Sequence, residues 1–253
     1  SGFDRLKMNA YMWLNNHHTR RYCDRIIAVS GDIRREVSAR FQQDRIAVIH
    51  NGIIVDKCKP SKSSLETRTS LGIGEDDLVV GSVGRLVPVK GFDVLIKAAV
   101  IVKESFDNVR FLIVGDGPYR SQLQQLADEL GLADQVQFAG FREDIMDVVN
   151  TFDVFVVSSH HEGIPVSVLE AMAIGRPIVS TAVGGMKEIL QDGESGLLVP
   201  SSDSRKLSEA CTKLLNHSTL RADLAKGARK RVVEEFSADI QGKKLLGLYR
   251  ELV

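Results

Sequence analysis

The chain has 253 residues, which at roughly 150 per domain leaves room for one large domain or two smaller ones. Lys+Arg and Asp+Glu number 33 each, so the formal net charge is zero, which argues against a general nucleic-acid coat; no nucleic-acid partner is expected. With 43% hydrophobic and 26% charged residues the composition is globular and excludes disorder as the main state. No apolar run approaches the ~20 residues of a membrane helix, and no signal-peptide pattern opens the chain. Cys23, Cys58 and Cys211 are odd in number and far apart, as expected of reduced thiols in a cytoplasmic protein.

The first elements in chain order are a helix through Phe3, Leu6, Ala10, Trp13 and Leu14, a strand over Arg25–Val29, a helix capped at Ser30 or Asp32, and a strand over Arg45–Ile49. One helix and a β-α-β unit cannot enclose a core, because parallel pairs are normally covered on both faces. Residues 1–57 are therefore expected to be a partial α/β domain. Asn51-Gly52 turns the chain and Lys57–Ser64 reads as a polar linker, with 58–77 leading into the next domain.

From Leu78 short apolar runs alternate with amphipathic segments. The runs are Leu78–Gly84, Val109–Val114, Gln135–Ala139, Asp153–Val157, Pro177–Ser180 and Gly196–Val199, each bounded by turn-forming residues. Between them Phe92, Leu95, Ile96, Ala99 and Val102 share one helical face, and Leu123, Leu126, Ala127 and Leu130 another. Strands and helices alternating through short loops predict an α/β fold with a doubly wound parallel sheet over 78–235. Helices follow over Asp203–Asn216, Ser218–Phe236 and Ser237–Leu252.

The densest chemical cluster runs from His160 to Ala173. Gly163 frees the backbone for an unusual turn, and Pro165 suits the first position of a helix. A helix beginning there aims free N–H groups and partial positive charge at the loop, which makes an anion seat. Glu162 precedes the helix, and Glu170 lies about five residues inside it, ~7.5 Å along the axis. A retaining-hydrolase pair about 5–5.5 Å apart is thus not the natural reading. An extended ligand with an anionic middle fits better, and a nucleotide-sugar has that shape. Two solvated glutamates remain the alternative. A second cluster, Gly81–Leu86 with Lys90-Gly91, sets Arg85 and Lys90 at a strand's carboxyl end, where both can meet one diphosphate or can pair with surface acids. Gly115-Asp116-Gly117 does not complete G-x-G-x-x-G, since Arg120 occupies the last place. Gly184-Gly185 either presents amides to a ligand or forms a tight strand-to-helix turn. His17-His18 and His160-His161 lack the spacing of a helical zinc site, and no metal is expected. His160 or His161 is either a ligand contact or a solvated side chain.

Taken together, Val83–Leu86 with Lys90-Gly91, Val114–Pro118, Glu162–Ala173, Gly184-Gly185 with Glu188, and Gly193–Val199 resemble glycosyltransferase family 4, retaining sugar-nucleotide transferases of the GT-B fold. Glu162 and Glu170 match its E-x7-E signature, and the order and spacing hold over about 78–200. The resemblance implies a Rossmann-like C-terminal domain that binds a nucleotide-diphosphate sugar as substrate, with no cofactor. Arg85 and Lys90 would neutralise the diphosphate, and Glu162 would contact the transferred sugar. Gly84 would lie against the ligand, and Glu170 would take the ribose hydroxyls. Backbone groups of Gly163, Ile164, Pro165, Val166, Ser167 and Val168, with His161, would hold the sugar hydroxyls and distal phosphate. Gly115, Asp116, Phe141 and Arg142 would hold the nucleobase. Retention in this family is ascribed to front-face attack, so no enzymic nucleophile is required. The resemblance also implies that the last helix, with residues 236–253, returns toward the N-terminal part. Only the tail of the acceptor domain is expected in residues 1–57, which implies weak transfer by the chain alone and self-association through exposed apolar surface. The acceptor, a saccharide or a lipid-linked one, and any peripheral membrane contact of the full-length protein are left open. A non-catalytic nucleotide-sugar module, or an epimerase or phosphorylase on the same architecture, are the rival readings.

Overall fold

The structure, a computed structural model, describes residues 18, 19 and 21–252. The expected helix through Phe3 to Leu14 lies outside the described residues. The first unit is β1 (Ile26–Ala28), α1 (Gly31–Ser38) and β2 (Ile46–Val48). Its strands are parallel, with Ile26 opposite Ile46. Ser30 starts α1 by accepting a hydrogen bond from the Ile33 amide at 3.2 Å.

The second sheet carries β3 (Leu78–Val83), β4 (Val109–Val114), β5 (Val136–Gly140), β6 (Val154–Val157), β7 (Ile178–Thr181) and β8 (Leu197–Val199). All its pairs are parallel, in the order β5-β4-β3-β6-β7-β8. The chain enters at the middle, builds outward to β5, then returns through β6 to the other side. Central position follows from composition: Val154 to Val157 of β6 are all buried, as are Val79 and Val80 of β3, so both strands need cover on both faces.

One apolar layer forms beneath α3 (Phe92–Lys103), α4 (Arg120–Glu129) and α8 (Ser204–Asn216), where Leu95, Ile96, Leu123, Leu207 and Leu214 meet Phe111 and Ile113 of β4. The other lies beneath α5 (Ile145–Val149), α6 (Val166–Ile174), α7 (Met186–Ile189) and α9 (Ser218–Glu235), with Leu169, Met172, Ile189 and Val232 against Phe155. Each such large side chain contributes about 1.5–3 kcal/mol on burial. The helical stripe of α4 runs out at Leu130, which caps the helix and is exposed.

The polar run Lys57–Ser64 is not a loose tether. Cys58 is buried, and the Ser61 amide, Ser61 hydroxyl and Lys62 amide all donate to the Asp147 carboxylate on α5. These donors hold Asp147 below the usual carboxylate range despite the opposing effect of its burial, which is the largest single influence on it. A capping box between Ser63 and Glu66 then starts α2 (Ser64–Ser70). At the far end α10 (Ala238–Arg250) comes back beside the first unit: Ile53 N donates to Phe236 O at 3.0 Å, and Ala238 N to Ile53 O at 2.8 Å. Among the described residues no helix is long and apolar enough to cross a membrane.

Candidate functional site

Reversal of strand order between β3 and β6 opens a crevice at their carboxyl ends, where open parallel sheets bind ligands. Its walls include Ser82, Val83, Lys90, Ser159, Glu162 and Ser167. Gly91 makes the crevice narrow. Its φ is +62°, and a Cβ there would sit 2.1 Å from the Ser158 carbonyl, so only glycine lets the β3–α3 loop lie against the end of β6. The His160 amide donates to Val89 O at 2.8 Å and the Ser158 hydroxyl to Lys90 O at 3.1 Å, which closes the contact.

That approach brings Lys90 Nζ to 2.6 Å from Glu162 Oε1. The Ser159 hydroxyl donates to the same oxygen, also at 2.6 Å. Glu162 is 7% exposed, so its charge is met by a cation and a hydroxyl rather than by water. Behind it, Gly184 has φ +50° and would place a Cβ 1.8 Å from Glu162 O, while the Gly185 amide donates to that carbonyl at 3.2 Å. Gly185 therefore spends its amide on the Glu162 backbone, and the glycine pair serves as a clamp on the loop.

Pro165 is not the first residue of α6. With ψ 126° it is the N-cap, and the helix begins at Val166. A proline cap has no side-chain acceptor, so the Val166 and Ser167 amides have no acceptor within the helix. Glu170, the fifth residue of α6, is half-buried without a hydrogen-bond partner among the described residues, and burial pushes its carboxyl up from the ordinary value. Val168 and Ile164 are buried, whereas Val166 is exposed.

A wider concavity of about 750 Å³ adjoins the crevice and shares Val83 with it. Gly84, Arg85, Gly115, Asp116, Phe141 and Arg142, all singled out in the sequence, line it together. Arg85 is exposed and has no ion-pair partner among the described residues; Phe141 is 77% exposed. Arg142 lines the concavity with its guanidinium turned to a neighbouring acid. Its Nε and Nη2 donate to the two oxygens of Asp144 at 2.8 and 2.6 Å, so its fork is occupied. These hydrogen bonds hold Asp144 below, and Arg142 above, their ordinary values. Asp116 accepts from the Gly117 amide at 2.7 Å. His161 is exposed, while His160 Nδ1 lies 3.2 Å from the Ser202 hydroxyl. Gly163 lies next to Val29 of the first unit. Sequence reasoning missed Ser159; the only signal was a Ser-Ser pair ending a strand just before Glu162. Among the described residues no three His, Cys, Asp or Glu gather as a metal site.

The family model described as glycosyl transferases group 1 matches residues 63–231, more than half of the chain. The chain belongs to this family. A second model, glycosyltransferase family 4, matches residues 1–57. An uncharacterized glycosyltransferase of Methanocaldococcus jannaschii is 30% identical over 232 residues, covering 89% of this chain and 59% of that protein. A D-inositol 3-phosphate glycosyltransferase of Saccharomonospora viridis is 31% identical over 242 residues, covering 90% and 56% respectively. The chain thus spans a little over half the length of these curated relatives. The crystal structure of Anabaena Alr3699/HepE in complex with UDP-glucose superposes with a TM-score of 0.88 at 26% identity, covering 94% of this chain and 66% of that one. The C-terminal domain of a group 1 protein from Francisella tularensis, LpcC, gives 0.67 at 26% identity, covering 74% of this chain and 100% of that one. The fold is that of GT-B glycosyltransferases.

Proposed function

We propose that this group 1 chain binds a nucleotide-diphosphate sugar and serves in its transfer to an acceptor with retention of configuration. The reading rests on one observation above the others: a single switch-point crevice gathers Lys90, Glu162 and the uncapped start of α6, the helix whose fifth residue is the half-buried Glu170. The chemistry follows from these groups. Breaking the sugar–phosphate bond leaves negative charge on the diphosphate, which Arg85 and Lys90 neutralise; loss of one such stabiliser costs about 2.7–4 kcal/mol of transition-state energy. With these cations carrying the counter-charge, the reading calls for no metal. The Val166 and Ser167 amides receive the distal phosphate and sugar hydroxyls.

Glu162 faces the transferred sugar once the diphosphate draws Lys90 toward itself, and Glu170 accepts from the ribose hydroxyls. The base occupies the concavity of Gly84, Gly115 and Phe141. Retention follows if the leaving phosphate takes the acceptor's proton on the face it departs from, so no protein nucleophile is needed. In this reading residues 1–57 belong to the acceptor side, 58–77 join it to the donor domain of 78–235, and 236–253 return to the acceptor side. The complexes of the Anabaena protein with UDP and UDP-glucose support a nucleotide-sugar ligand. Calorimetric titration with UDP, GDP and ADP tests the reading: binding of one is expected, and failure of all three overturns it.

A further inference from the structure

Asn51, which the sequence marks only as a turn, reaches into the site. Its Nδ2 donates to the Ile164 carbonyl at 2.8 Å, a bond between positions 113 residues apart. Ile164 lies two residues beyond Glu162, inside the loop whose other side is clamped by Gly184 and Gly185. The residue before Asn51 is fixed as well: His50 Nε2 lies 2.8 Å from Glu188 Oε2 and its ring is 5.5 Å from that of Phe236. Glu188 Oε1 in turn accepts from the Gly31 amide at 2.8 Å, at the start of α1. After Asn51, the Gly52 amide donates to Gln241 Oε1 of α10 at 3.2 Å. Asn51 is thus anchored on both sides, and among the described residues its side-chain amide has no hydrogen-bond partner other than Ile164 O.

We propose that Asn51 is a positioning residue, held by the Glu188–His50 contact, that sets the Glu162–Ser167 loop and couples it to the first α/β unit. This rests on the donor reading above only for its consequence in binding. With Ile164 O fixed from the front and Glu162 O from behind, the peptide between them has one orientation, and the amides at the start of α6 keep their aim. A movement of the first unit is transmitted through Asn51 to that peptide, so the sugar end of the site, rather than the nucleotide end, registers it.

Hydrogen exchange of the unliganded full chain tests the latch without any ligand. Asn51→Asp keeps the size of the side chain and replaces its donor by an acceptor facing a carbonyl. Exchange of the Gly185, Val168 and Leu169 amides, which donate to the loop carbonyls of Glu162 and Pro165, is expected to rise about five- to tenfold, with β3 and β4 unchanged. Protection returns when the introduced carboxyl is protonated at low pH, because it then donates. Asn51→Ala serves if that variant does not fold, with the same local rise and no return at low pH. Unchanged loop exchange, or a uniform rise across the sheet, overturns the proposal. Titration with UDP and UDP-glucose reads the consequence: the affinity ratio of UDP-glucose to UDP is expected to fall about fivefold with UDP affinity held within about twofold. Equal weakening of both overturns the positioning role. If the parent chain binds neither, the donor reading falls and the exchange result alone decides the latch.

Discussion

Lys90 Nζ lies 2.6 Å from Glu162 Oε1 across 72 residues of sequence, and the pair closes the crevice between the two central strands. Its cation is shared between a buried carboxylate and the place proposed for a diphosphate. A pair of this kind weighs on both stability and ligand binding. Lys90→Met leaves the Glu162 charge with only Ser159 and is expected to cost about 2 kcal/mol in urea denaturation. Lys90→Met/Glu162→Gln is expected to recover at least half of that loss, because no charge is then stranded. Equal losses in the single and double variants would show that the pair is not what the stability reports.

Glu170 has the opposite balance. Burial holds its carboxyl above the ordinary value of 4.5, so protonation is easier in the folded chain than in the unfolded one. The stability it contributes is fully present below that value and is lost as pH rises through the raised folded pKa. Glu170→Gln should therefore raise the thermal midpoint at neutral pH and give no gain below about pH 4. The same substitution should weaken binding of the matching nucleoside diphosphate about tenfold, by removing a charged acceptor from the ribose hydroxyls.

Two glycines with positive φ separate backbone strain from collision. Gly175 has φ +77° with nothing within 4 Å of an added Cβ, so Gly175→Ala should cost about 1 kcal/mol. Gly184→Ala adds a collision with the Glu162 carbonyl, and is expected to cost more than about 3 kcal/mol. Urea denaturation of both variants measures the difference.

Phe141 is too exposed to hold the fold together. Phe141→Ala is expected to leave the thermal midpoint unchanged while lowering nucleoside diphosphate affinity about tenfold, the scale of one lost stacking contact with a base. Phe141→Tyr should keep that affinity. A fall in thermal midpoint without a fall in affinity would remove Phe141 from the base site.

The strands were legible because their cause is local. Apolar runs such as Val109–Val114 and the face of Phe92, Leu95, Ile96, Ala99 and Val102 carry their period in the chain itself, and the elements form where those periods lie. The glycines and acids at the strand ends were legible for the same reason, since a turn must be written where it occurs. Pro165 was read one position off because its φ suits both the cap and the first helical residue; only ψ separates them. The pairing of Arg142 with Asp144 was not legible, because sequence does not say which of several polar partners a flexible guanidinium takes, even one two residues away.

By itself, then, the sequence determined the alternation of strands and helices, the neutral globular character, and the motifs by which the chain belongs to the glycosyl transferases group 1. Tertiary structure alone decided which loops share a crevice. The β3 and β6 strands must both be central to be covered on two faces, and that order, not any spacing along the chain, brings Lys90 onto Glu162. The same holds for Asn51 on Ile164: a hydrogen bond over such a separation exists only after the sheet has set the loop's position and α10 has anchored the turn.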